Sequence, residues 1–417
     1  MNEPLITNDA VILGALMIIL AFVFKTSSID HGFWKKFYTF VPSLLLCYFL
    51  PSILGTTGII DPEKSNLYFV ASRYLLPTSL ILLTISIDLK GVLRLGPKAL
   101  IMFLTGTVGI VLGGPLAIIV VSWIDPAVVG GDGAEAVWRG LTTLAGSWIG
   151  GGANQAAMKE VFQVGDEMFS VLIAVDVIVA NIWMGFLLYG AGRAEQIDRR
   201  IGADTSAIST LRKKITEYQA SIMKIPTLSE TMIVLGVGFT ITALSHVGAD
   251  IIAPWLSELG ETVRFIERMS LSSKFFWLVV LATSGGVFLS FTPARKLEGV
   301  GASRIGSVFI YVLVATIGMK MNLMAIFEYP WLFLVGAIWI AFHAGLLILV
   351  AYLIKAPFFF LAVGSQANVG GAASAPIVAS AFHPSLAPVG VLLAVVGYGL
   401  GTYAAWFCGL LMQSVAP

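Results

Sequence analysis

Two short segments, one in each half of the chain, carry residue types that can hold a small polar ligand in apolar surroundings. The first reads Gly146-Ser147-Trp148-Ile149-Gly150-Gly151-Gly152-Ala153-Asn154, the second Gly364-Ser365-Gln366-Ala367-Asn368-Val369-Gly370-Gly371. Glycine costs a helix about 1 kcal/mol per residue, so three in a row mark a stretch where the helix unwinds. Unwound backbone frees carbonyls for a cation, and the N-terminus of the helix that resumes offers N–H groups to an anion. Ser147, Asn154, Ser365, Gln366 and Asn368 add neutral oxygens and donors suited to Na⁺ and a polar solute. Gly150, Gly151, Gly152, Gly370 and Gly371 let backbone and ligand approach closely. Glycines also serve simply to let helices pack, but two matched clusters flanked by Ser and Asn favour binding.

Few titratable groups accompany these clusters. Asp176 stands eight residues inside an apolar run, where an ionised carboxylate is expensive and is usually functional or paired. With Asn181 nearby it is a candidate for binding the coupling cation or carrying a proton; the alternative is a hydrogen bond to the adjoining glycine-rich segment. Arg73 either snorkels to the outer interface or answers a substrate carboxylate. His343, mid-run, either relays protons or packs as a satisfied histidine. Thr283-Ser284-Gly285-Gly286 either lines a pathway or marks a helix crossing. The chain has no HExxH, GxSxG, phosphate-binding loop or metal-spaced Cys/His set, so neither an enzyme, a cofactor nor a metal site is expected. Cys47 and Cys408 fall in apolar runs and read as small buried hydrophobes.

The elements that must position these residues are membrane helices. The 417 residues are 57% hydrophobic and 12% charged, against about 25% charged in soluble domains. A net charge of +1 gives no reason to expect nucleic acid. Apolar segments lie at 11–24, 37–54, 68–88, 99–124, 138–160, 168–192, 230–247, 274–292, 303–323, 330–354, 357–380 and 385–412. The flank before the first carries Glu3 and Asp9 instead of basic residues, so it reads as a span and not a cleaved leader. If all twelve cross, lysine and arginine divide almost evenly between the two faces. If 138–160 and 357–380 enter and leave on one side, seventeen fall on the cytoplasmic face and seven outside, as the positive-inside rule requires. Ten spans and two re-entrant hairpins are therefore expected, with both termini outside and the bacterial inner membrane as the location.

The same segments form a repeat. Ala71-Ser72-Arg73 recurs as Ala302-Ser303-Arg304, and Gly146-Ser147 as Gly364-Ser365. Residues 1–192 and 230–417 then each hold five spans and one hairpin, and an odd span count inverts the second copy. Asp176 would face Ala394 in that register, making the site asymmetric. Between the copies, 193–229 is a polar linker where Ile208, Leu211, Ile215, Tyr218 and Ile222 predict an amphipathic helix on the lipid surface.

Through ASRYLLPTSLILLTISIDLKG, LAGSWIGGGANQAAMKE and GSQANVGGAASAP, the chain resembles the YjcL-type family of bacterial membrane proteins. That family is grouped with the cation:proton antiporter and anion transporter superfamily. Glycine-rich hairpins or crossed broken helices hold solute and Na⁺ in the glutamate and citrate symporters of that group. The resemblance implies an all-α, elevator-type secondary transporter and a homodimer, with the tip residues above as ligand contacts. The histidine of the glutamate-symporter hairpin is absent, and so is the paired aspartate of the antiporters, since Asp176 stands alone. The expected function is Na⁺-coupled symport of a small polar or anionic organic solute; the alternatives are a cation/proton antiporter using Asp176 and a passive channel.

Overall fold

Apolar runs separated by short charged turns fold into helices because, away from water, only a helix satisfies its own backbone. The computed structural model describes residues 4–29, 31–41, 43–62, 64–87, 93, 95–205, 208, 226–260, 271–321, 329–383 and 386–417. The expected linker helix through Leu211, Ile215, Tyr218 and Ile222 lies outside these residues. In chain order the helices are α1 (Asp9–Ser27), α2 (Gly32–Phe40), α3 (Ser43–Thr56), α4 (Leu67–Thr84), α5 (Pro97–Ser122), α6 (Val137–Val161), α7 (Asp166–Ala191) and α8 (Ala194–Ile201). There follow α9 (Leu228–Gly260), α10 (Lys274–Ser290), α11 (Ala302–Gly318), α12 (Leu332–Ile354), α13 (Phe358–Val369), α14 (Gly371–Phe382) and α15 (Ala387–Val415). Helix α4 contains one π-helical turn, Ala71–Leu75, which carries Arg73. Among the described residues, seven helices are long and apolar enough to cross a membrane: α1, α4, α5, α7, α9, α12 and α15.

The helices sort into two bundles. In one, α1, α3, α4, α9, α10 and α11 pack on each other; in the other, α5, α6, α7, α12, α13, α14 and α15 do. Each half of the chain thus gives its first helices to one bundle and its last to the other. Within the second bundle, α5 and α12 approach closely because Gly106, Gly109, Gly113 and Gly114 leave a groove for His343 and Trp339. Small residues serve this end in membrane bundles. The bundles meet where α4 and α10 pass α15 and α6.

Helix α6 is not straight. It breaks at Gly151, whose φ of 71° and ψ of −174° belong to a region essentially reserved for glycine. The chain then reverses. Arg139 Nη1 donates to the Phe162 carbonyl at 2.6 Å, although a continuous helix would separate those residues by about 34 Å. A Cβ on Gly146 would stand 2.6 Å from the Asn154 carbonyl oxygen, eight positions on. Helices α13 and α14 do the same across Gly370 and Gly371, the latter at φ +56°: the Phe359 and Phe382 rings lie 5.2 Å apart. Both segments are helical hairpins. The breaks fall at Gly151 and at Gly370-Gly371; Gly150, expected to unwind with its neighbours, is helical, and with Gly146 and Gly364 it serves close packing.

The hairpins open at opposite ends of α7. At its start, the Gly165 N–H donates to Ala134 O at 2.8 Å, beside the base of the first hairpin. Near its end Gly190 packs on Phe358, at the base of the second, about 36 Å away. Phe358 N–H also donates to Asp198 on α8 at 2.8 Å. Burial pushes the Asp198 carboxyl above its ordinary range, and that bond partly offsets the shift.

Candidate functional site

The two tips meet. A Cβ on Gly371 would lie 3.8 Å from Gly151 Cα, so the second limbs, Gly152–Val161 and α14, both begin at one place. Helix α15 passes the junction on small residues: a Cβ on Gly401 would lie 2.6 Å from Gly150 Cα, and one on Gly397 2.6 Å from Ile149 O. Gly152 borders open space. The two glycine clusters of the sequence thus lie side by side in the structure.

What the polar residues do there is more specific. Asp176 is buried on α7 and accepts three hydrogen bonds from the first hairpin. Ser147 Oγ and Gln155 Nε2 donate to Oδ2 at 2.6 and 2.9 Å, and Trp148 Nε1 donates to Oδ1 at 2.7 Å. The three donors offset part of the cost of burying the carboxylate, since bonds to a charged group are worth about 1.5–3 kcal/mol each. Asn181 takes no part in this cluster; its Nδ2 donates to Val177 O on its own helix at 2.7 Å.

The second hairpin is held by a comparable device with different chemistry. Trp183 Nε1 donates to Ser365 Oγ at 2.8 Å. His343 Nε2 lies 2.8 Å from the same oxygen, and its Nδ1 lies 2.9 Å from Gly106 O. A carbonyl can only accept, so a neutral ring donates from Nδ1 and takes the Ser365 hydroxyl at Nε2. His343 is therefore fully satisfied, and Ser147 and Ser365 are both committed to struts.

The two asparagines share one bonding pattern. Asn154 Nδ2 donates to Gly150 O and Tyr398 O at 3.0 and 2.9 Å, and its Oδ1 accepts from Thr402 at 2.6 Å. Asn368 Nδ2 donates to Gly364 O and Phe103 O, both at 2.9 Å, and its Oδ1 accepts from Thr107 at 2.7 Å. In each case a hairpin is tied to a carbonyl and to a threonine four residues later on a neighbouring helix. Thr107, Thr402, Trp183 and Gln155 were not singled out in the sequence. Their signal, a lone polar side chain within an apolar run, is shared by many packing residues.

One polar atom is left over. Gln366 is 1% exposed; its Nε2 donates to Ser374 Oγ at 2.6 Å, but its Oε1 has no partner among the described residues. Leaving a buried acceptor unpaired costs about 1–3 kcal/mol, and native folds leave few such atoms.

Arg73 lies away from the tips. It bonds Glu160, at the base of the first hairpin, at 2.7 Å and stacks over Phe275 at 4.5 Å. Tyr68 also donates to Glu160. Lys159 pairs with Asp166 at 2.7 Å, and Lys320 of the other bundle reaches that carboxylate at 4.0 Å. Lys159–Asp166 ties α6 to α7, while Arg73–Glu160 and Lys320–Asp166 join the two bundles at the end where the first hairpin opens. Thr283 and Ser284 join them too, through Thr402 at 3.1 Å and Tyr403 at 2.6 Å.

Apolar helices of spanning length, packed as two bundles with polar groups turned inward, define a multi-pass helical membrane protein. The chain belongs to the family described as "Protein of unknown function (DUF819)", which matches residues 14–415. It is also similar to the "Uncharacterized membrane protein YjcL" of Bacillus subtilis (strain 168), with 23% identity over 372 residues and 86% of each chain covered.

Proposed function

We propose that this protein is a secondary active transporter, a cation-coupled symporter of a small polar organic solute. The observation that carries the reading is the meeting of two hairpin tips, opened from opposite ends of α7, with their second-limb N-termini at one point. In a bilayer this makes 138–160 and 357–380 re-entrant and the two halves an inverted repeat of five spans and a hairpin. Irregular backbone at membrane depth is tolerated only where it lines a cavity or is buried in protein, and inverted-repeat transporters place their sites at such broken helices. The hairpin bundle is the moving body; the bundle of α1, α3, α4 and α9–α11 is the scaffold, on which a second copy of the chain would dimerise. The ionic contacts around Glu160 and Asp166 close the first-hairpin side and must break when the bundle moves.

Na⁺ is the better coupling ion. The tips offer backbone carbonyls and an amide oxygen, and the neighbouring carboxylate, Asp176, already takes three donors. That donor set supports a positioning role for Asp176. Uptake in proteoliposomes with an imposed Na⁺ or H⁺ gradient tests the reading. Accumulation above equilibrium driven by inward Na⁺ is expected; equilibration alone, indifferent to either gradient, would make the protein a passive channel.

A further inference from the structure

The polar side chains at the junction are nearly all spent, which narrows what a ligand can touch. Asn154, Asn368, Ser147 and Ser365 use their polar atoms on the protein itself. What remains is of two kinds. The first is a pair of helix N-termini, those of Gly152–Val161 and α14, brought together at Gly151 and Gly371. Helix geometry leaves first-turn N–H groups without an intrahelical acceptor, and α14 has neither a capping side chain nor an acidic residue in its first turn. The second is Gln366 Oε1, buried, unpartnered and held by the Ser374 contact against that same first turn.

Charge then selects the ligand. Each N-terminus carries about half an elementary positive charge, so two together answer about one carboxylate. No lysine or arginine is joined to the tip residues by any bond described above: the cations Arg73, Lys159 and Lys320 are engaged at the hairpin base. Asp176 on α7, bonded to the first hairpin about one turn from its tip, adds negative charge to the neighbourhood. A second carboxylate on the ligand would therefore lack compensation. The unpartnered amide oxygen asks instead for an N–H donor on the same molecule.

Resting on the transporter reading, we infer that the solute is a zwitterion of the α-amino acid class. Its single carboxylate sits at the converged N-termini of Gly152–Val161 and α14, and its ammonium donates to Gln366 Oε1. The open space beside Gly152 is where the solute lies against the first hairpin.

The test uses the purified full chain and thermal stabilisation, because any true ligand raises stability by mass action. The probes are the twenty common α-amino acids, each beside its deaminated acid and its decarboxylated amine, with succinate as a dicarboxylate, all in Na⁺. At least one amino acid is expected to stabilise at tenfold lower concentration than either truncated analogue, and succinate to do nothing. Gln366→Leu, which fills the space and removes the oxygen, is expected to raise the amount of that amino acid needed by tenfold or more. Gln366→Glu keeps an acceptor and is expected to retain the response, which separates loss of the oxygen from loss of the fold. A deaminated acid as effective as its amino acid would show the amide turned to present N–H, and would overturn the ammonium assignment. Succinate binding in place of amino acids would overturn the solute class while leaving coupled transport intact. Gradient-driven uptake measured on the same preparation distinguishes that failure from failure of the transporter reading itself.

Discussion

Replacing Asp176 by asparagine should loosen the first hairpin, and the size of the effect follows from the donors around it. Oδ1 takes one donor, Trp148, and Oδ2 takes two, Ser147 and Gln155. Asparagine has one acceptor oxygen, so the least costly orientation turns its NH₂ toward Trp148 and loses that bond. The two surviving bonds fall from the charged to the neutral range, a loss of about 1 kcal/mol each. Adding the lost Trp148 bond, about 1.5–3 kcal/mol, gives about 3.5–5 kcal/mol of local stability. Local opening then becomes on the order of a thousandfold more frequent, at about 1.4 kcal/mol per tenfold. Hydrogen exchange at the amides of residues 146–156 measures this directly, with α5 as the internal reference. Protection within about threefold of wild type would show that Asp176 does not brace the hairpin. An Asp176→Asn protein with a firm hairpin and abolished pH-dependent cation exchange would restore the antiporter reading.

Other substitutions bear on separate parts of the account. Alanine should destabilise more at Gly151 than at Gly371, because the Gly151 conformation is nearly closed to other residues whereas the left-handed one at Gly371 costs about 1–2 kcal/mol; thermal unfolding of both variants reads the order, and the reverse order contradicts it. Asn154→Ala and Asn368→Ala each remove three buried bonds and should cost about 2–4 kcal/mol; a change below about 0.5 kcal/mol in either would deny it a structural role. Glu160→Gln neutralises the group that Arg73 and Tyr68 share across the bundles. It should speed alkylation of a cysteine at Gly152→Cys several-fold in a background lacking Cys47 and Cys408, and an unchanged rate would mean these contacts do not hold the first-hairpin side shut.

Much of the scaffold was legible because membrane helices announce themselves. Most apolar segments agree with the helices to within a few residues; 37–54 is instead split into α2, which starts at Gly32, and α3, and α9 runs on to Gly260. Against ten expected spans, seven of the described helices reach spanning length. Both glycine clusters marked hairpins whose breaks lie inside them. The site was harder to read. Ser147, Ser365, Asn154 and Asn368 looked like ligand contacts because their residue types suit that work, yet each is spent on an intramolecular partner. Those partners are far apart in sequence: Tyr398 and Thr402 for Asn154, Phe103 and Thr107 for Asn368. No local spacing rule connects them. Gln366 stood out equally with its neighbours in the sequence, and only the tertiary arrangement left its oxygen unpaired. The proposed repeat rests on element order and not on bonding. Asn154 is tied to α15 but Asn368 to α5, helices that the repeat does not equate.

The account stands most directly on the sidedness of the two hairpins. In a protein freed of Cys47 and Cys408, single cysteines at Ala134 and Glu167 flank the first hairpin, and cysteines at Lys355 and Ala381 flank the second. With an impermeant thiol reagent applied to right-side-out and inverted vesicles, 134 and 167 should label from one face, and 355 and 381 from the other. Labelling of 134 and 167 from different faces would mean that the segment between them threads the bilayer, and no shared site at Gly151 and Gly371 would remain.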